Sequence, residues 1–169
     1  MAMRLEIEIR REAGGWPAEA TLRSLAETAV KAALDAGARL SIERAEIGLV
    51  LTDDARIRVL NRDYRGLDRP TNVLAFPLSE PDRPAEAAIL GDIVLAFQTV
   101  KDEAKRLGLP FRHHMTHLIV HGFLHLIGYD HETNQQAEVM ERLETASLAA
   151  LGISDPYGGE KAAAPDRRV

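Results

Sequence analysis

The sequence predicts an α+β fold: a single domain over residues 1–152 with a mixed four-stranded sheet and about five helices, followed by a disordered tail over residues 153–169. Three observations predict it. Strand-period and helix-period patterns follow one another in the order βαβαββααα. The most apolar helix candidate, 111–127, comes late and is expected at the centre of the domain. The chain has 169 residues, 46% hydrophobic and 28% charged, which suits one globular domain with a real core.

Each element has its own signal. Leu5 to Ile9 alternates apolar and charged residues, as a half-buried strand does. Pro17 suits a first helical turn, and Leu22, Leu25, Ala29, Ala32 and Ala33 recur at helical spacing until Gly37. Ala45 to Leu51 reads as a second strand. Thr52, Asp53 and Asp54 form an N-cap cluster for a short helix with Ile57, Leu60 and Tyr64 on one face. Gly66 to Pro70 breaks that helix ahead of a third strand, 71–77. Residues 79–86 hold prolines and charges and read as a mobile loop. Ile89 to Phe97 is a fourth strand, and Gln98 to Leu107 a helix stopped by Gly108 and Pro110. Gly128 ends the apolar helix. Thr133 or Asn134 caps a last helix to about Leu151.

Composition excludes several functions. There is no Cys, so there is no disulfide scaffold, Cys-type zinc finger, iron–sulfur cluster or thiol nucleophile. The first ten residues carry four charges and no apolar signal-peptide core, and no apolar run is long enough to span a membrane. A cytoplasmic setting is expected. The net charge of −5 repels nucleic acid overall, so any nucleic-acid role must rest on a local basic patch.

The six histidines all fall between His113 and His131. His121 and His125 are four apart, which puts both imidazoles on one helix face. Gly128 lets the chain reverse and brings His131 back towards them. Three neutral nitrogen ligands leave one coordination position open, as in a catalytic rather than a structural zinc site. The spacing matches the long zinc-protease pattern H-E-x-x-H-x-x-G-x-x-H, except that Gly122 replaces the glutamate. That glutamate is the general base of those proteases, so peptide hydrolysis by their route is disfavoured. His117 lies one turn before His121 and could share its face. His113 and His114 read as surface or packing histidines.

Together with two further segments, this stretch resembles the YbeY family of single-strand-specific endoribonucleases of ribosomal RNA maturation. Those segments are 60–77, which contains Asn61-Arg62-Asp63-Tyr64-Arg65-Gly66, and Leu90-Gly91-Asp92-Ile93-Val94. The resemblance implies a metal-dependent hydrolase domain with one zinc ion, or another divalent metal, held by His121, His125 and His131. It implies a functionally required arginine at Arg65, with single-stranded or ribosomal RNA and the ribosome or its proteins as partners. Ala75 stands where the family commonly has Ser, so no hydroxyl role is expected there. An arginine suits phosphodiester cleavage because its guanidinium grips two phosphoryl oxygens and offsets their growing charge. Arg62 and Arg69 flank it, and Lys101, Lys105, Arg106 and Arg112 could extend an RNA track if they converge on the site. With eight aromatic residues, backbone and shape reading is expected to outweigh base readout. Asp92 could orient a ligand imidazole or simply end a strand, and Asp130 is expected to cap the turn. Two other functions fit the histidines: a ribosome-assembly or adaptor protein with structural zinc, and a metalloprotease-like peptidase.

Overall fold

The computed structural model describes residues 3–40, 42–78 and 87–157. The loop expected at 79–86 and the tail from 158 onward lie outside the described residues. The described chain runs on past residue 152 to Tyr157.

The elements come in the expected order: β1 (Arg4–Arg11), α1 (Glu19–Asp35), β2 (Arg44–Thr52), α2 (Asp54–Arg65), β3 (Val73–Pro77), β4 (Ala87–Ala96), α3 (Phe97–Leu107), α4 (Phe111–Leu126) and α5 (Asn134–Ala150). The strands form one mixed sheet in the order β1-β2-β4-β3. β1, β2 and β4 are parallel, and β3 runs antiparallel to β4. β2 lies inside the sheet and is buried almost throughout, whereas edge strand β1 keeps charged residues in solvent.

Strand alternation sorts the core into two layers. Leu49, Leu51, Val73, Ile93 and Leu95 join residues of α1, α4 and α5 in the large core. Val50, Leu74 and Val94 point the other way and pack with Ile57 of α2. Helix α2 therefore covers the sheet face opposite α4. On α2 the inward pattern holds for Ile57 and partly for Leu60, but not for Tyr64, whose ring is 70% exposed. The helix ends one residue after Tyr64, and its ring leans on Phe76 of β3 instead of entering the core.

Helix α4 is the centre of the domain. Every residue from His114 to Leu126 is buried, so this helix has no solvent face over that span. It crosses β4 closely at Gly122. A Cβ there would stand 2.9 Å from Cγ2 of Ile93, inside normal contact. Gly122→Val is expected to lower stability by about 1–3 kcal/mol through overpacking. A urea midpoint equal to the parent's would show that the helix can lift off the sheet freely.

Candidate metal centre

The site is assembled at the end of α4. His121 and His125 are successive rungs on one face of the helix. A Schellman closure then stops it: the Gly128 N–H donates to the His125 carbonyl at 3.1 Å and the Tyr129 N–H to the Leu124 carbonyl at 2.9 Å. Gly128 carries φ +104°, a left-handed conformation that favours glycine. The reversal delivers His131, whose N–H donates to the Asp130 carboxylate at 2.8 Å. Asp130 thus caps the turn, as expected. Two residues later Thr133 and Gln136 form a full capping box for α5. His131 is held between two helix ends that are both locally specified.

The three imidazoles converge. One nitrogen from each of His121, His125 and His131 lies within 4.8 Å of the other two. Nε2 of His121 and Nε2 of His125 are 3.2 Å apart. Two nitrogens bound to one tetrahedral zinc at ~2.0–2.1 Å would stand about 3.4 Å apart. The donor set therefore fits a divalent ion.

Protonation agrees with that fit. Nδ1 of His121 lies 2.8 Å from Oε1 of Glu144. An ionised carboxylate only accepts, so Nδ1 carries the hydrogen and the Nε2 lone pair turns towards His125. Burial, with repulsion from His121 and His131, lowers the His125 pKa to about 3, so its imidazole is neutral and able to ligate at neutral pH. Burial pushes the Glu144 carboxyl up, but His121 and His117 outweigh it and hold the group well below the usual carboxylate range. Glu144 takes two more partners: Nε2 of His117 at 3.3 Å and the Tyr157 hydroxyl, which donates to Oε2 at 2.7 Å. This buried anion fixes the ring of His121 and supplies countercharge for a cation bound next to it. Sequence reasoning missed Glu144. It sits 23 positions from His121 on α5, and no local spacing signals the pair.

The other singled-out residues fall as follows. His117 stays outside the triad and shares Glu144 with it. His114 is a buried packing histidine bonded to Glu103 at 2.8 Å. Asp92 does not orient a ligand imidazole: it lies over Gly48 and pairs with Arg10 at 2.9 Å, so Glu144 fills that role instead. Arg65 ends α2, and Oδ1 of the buried Asn61 accepts from its Nη1 at 3.1 Å. Lys101, Lys105 and Arg106 are exposed on α3, which leads into the start of α4, where Arg112 lies. Arg112 and His125 are 13 residues apart on that helix, about 20 Å along its axis. Arg112 therefore does not converge on the triad. Gly122 faces Ile93 of the sheet, so a glutamate at that position would meet the core.

Fold and site together define a class: an α+β domain built round a buried helix whose three-histidine cluster can hold a metal ion. The profile of the family described as Endoribonuclease YbeY matches residues 7–152. An Endoribonuclease YbeY of Sinorhizobium medicae is 53% identical over 161 residues, covering 91% of this chain and 95% of its own. One of Rhodopseudomonas palustris is 50% identical over 155 residues, covering 90% and 81%. The solution structure of TM1509 from Thermotoga maritima superposes with a TM-score of 0.53 at 26% identity, over 86% of this chain and 91% of that one. The chain belongs to the Endoribonuclease YbeY family.

Glu144→Gln keeps the shape but removes the charge that fixes His121. Zinc affinity, measured by competition with a chromogenic chelator, is expected to fall about 10–100-fold. Unchanged affinity would show that His121 needs no anionic partner.

Proposed function

We propose that this chain is a metal-dependent, single-strand-specific endoribonuclease that acts in ribosomal RNA maturation and ribosome quality control, with zinc at His121, His125 and His131. The observation that carries the reading is the convergence of three imidazole nitrogens within 4.8 Å in a member of this family. The family name supplies the reaction, and the donor set supports the metal. RNA and the ribosome or its proteins are the expected partners. A cytoplasmic location goes with this role, and no helix among the described residues is long and apolar enough to cross a membrane.

A divalent ion bound at the triad would act as a Lewis acid on a phosphoryl oxygen. The chain's own residues do the rest. Glu144 holds the His121 ring in one orientation and one tautomer. Arg65 is the candidate phosphate clamp. Asn61 is fully buried, and its Nδ2 donates to the Arg69 carbonyl at 2.9 Å while its Oδ1 accepts from Arg65. The guanidinium is therefore anchored from inside the helix, which suits a fork that must meet two oxygens at once. Position 122 offers no general base and no room for one, which weighs against a peptidase.

The test is cleavage of an end-labelled single-stranded RNA by zinc-loaded protein. Arg65→Ala is expected to retain zinc and lose about 10²–10³-fold in kcat/KM. His121→Ala should lose both zinc and activity while its circular dichroism persists, because the chain buries a large apolar core of its own. Equal cleavage by parent and both variants would mean a contaminating ribonuclease. Full activity of Arg65→Ala alone would remove Arg65 from the site. Collapse of His121→Ala would favour a structural zinc and an adaptor role. The product ends separate two nucleophiles, since a 2′,3′-cyclic phosphate excludes attack by water.

A further inference from the structure

The aromatic residue at the end of α2 stands outside both apolar clusters of the core. Tyr64 is 70% exposed, and its ring stands edge-on to Phe76, with centroids 5.2 Å apart and planes at 67°. Single exposed apolar residues are ordinary, but this one has a particular setting. Its chain neighbour is Arg65, anchored by buried Asn61. Leu78 and Ile89, just beyond Phe76 on the paired strands, are 71% and 56% exposed. On the opposite face of the sheet the metal helix comes close to the same strand: the Phe76 carbonyl and Cδ2 of Leu126 both crowd the point where a Cβ on Gly91 would stand. Leu126 directly follows His125. The ends of α2 and α4 thus flank edge strand β3 from opposite faces at one corner of the domain, with the exposed ring on the α2 side.

The local charge is opposite to the global one. Between Arg56 and Arg69 five arginines stand against two aspartates, while the chain as a whole carries −5. A flat apolar face beside a cationic segment matches a polyanion that carries exposed rings. A duplex keeps its base faces stacked inside, whereas an unpaired strand presents them to aromatic side chains.

We propose that Tyr64, braced by Phe76, is a stacking subsite for one unpaired nucleobase next to the phosphate that Arg65 grips. This inference rests on the endoribonuclease reading and deepens it, because it gives single-strand preference a structural origin: only a strand with a free base can use the corner fully.

The experiment pairs initial rates of the zinc-loaded protein on a short labelled RNA with anisotropy binding of the 2′-deoxy oligonucleotide of the same sequence. Tyr64→Ala is expected to raise KM and Kd by about 5- to 100-fold, the range set by loss of one base–aromatic stack, with kcat little changed. Tyr64→Phe should restore both. Replacing bases one at a time with abasic sites should reveal one position where the parent loses the same factor and Tyr64→Ala loses nothing more. A parent that cleaves, alongside a Tyr64→Ala whose KM is unchanged, overturns the subsite and leaves the endoribonuclease reading standing. Equal damage in Tyr64→Phe also overturns it, since the hydroxyl and not the ring would then matter. A parent that neither binds nor cleaves the strand overturns the reading and the subsite together.

Discussion

The rest of the structure depends on the complete burial of α4. A helix with a solvent face can leave its polar side chains to water, but from His114 to Leu126 this one has no such face. Each histidine on it must find partners inside the protein or carry the cost of an unpaired buried polar group, of order 1–3 kcal/mol. Two carboxylates answer that demand from neighbouring helices. Glu103 of α3 meets His114 and also accepts from Asn72 at 3.0 Å, which ties α4 to the start of β3. Glu144 of α5 meets both His117 and His121. These buried polar contacts fix the rotation of α4 more tightly than apolar packing alone, because a turned helix would strand charged oxygens in the core. Gly122 adds the steric half of the same constraint by seating the helix against Ile93.

The candidate metal centre inherits its geometry from that arrangement. His121 and His125 lie on a helix that can neither rotate nor lift, and the Glu144 carboxylate sets the ring of His121. His131 is different: it comes from a turn and is only half-buried. Its position is fixed by local chain geometry, through the Gly128 closure on one side and the Thr133–Gln136 capping box on the other. Two ligands come from the core and one from the rim, so the cluster lies where the buried helix emerges at the surface. A substrate too large to enter the protein can approach it there.

Local features were legible in the sequence, and long-range ones were not. The strands at Leu5–Ile9 and Ala45–Leu51 and all five helices follow from periodicity and caps, and the fold class from their order. The three histidines follow from spacing on one helix plus one glycine. Glu144 was invisible because its pairing with His121 bridges two helices, and nothing in the surroundings of a glutamate on α5 reports that it is buried. Asp92 stayed open in the sequence for the same reason: a carboxylate near the metal segments is equally compatible with a histidine or another partner, and the parallel pairing of β1 with β2 decides for Arg10. Tyr64 misled because helical periodicity assumes that a helix lies against the core along its whole length. Here α2 ends one residue later, and Gly66 turns the chain away with φ +72°.

Charge placement reconciles an acidic chain with a polyanionic ligand. Exposed charges farther apart than about 8–10 Å are largely screened at physiological salt, so the total of −5 matters less at the site than the residues immediately around it. On α2, Arg58 pairs with Asp68 and Arg62 with Asp63, both at the surface. Such exposed pairs are weak and easily exchanged, so a phosphate can replace either aspartate at little cost. Arg65 donates to a neutral amide, the Oδ1 of buried Asn61, at 3.1 Å. That bond aims the guanidinium without cancelling its charge. If Arg65 is the phosphate clamp proposed above, this anchor restricts the guanidinium before substrate arrives, and such preorganisation is what stabilising charge in a transition state requires.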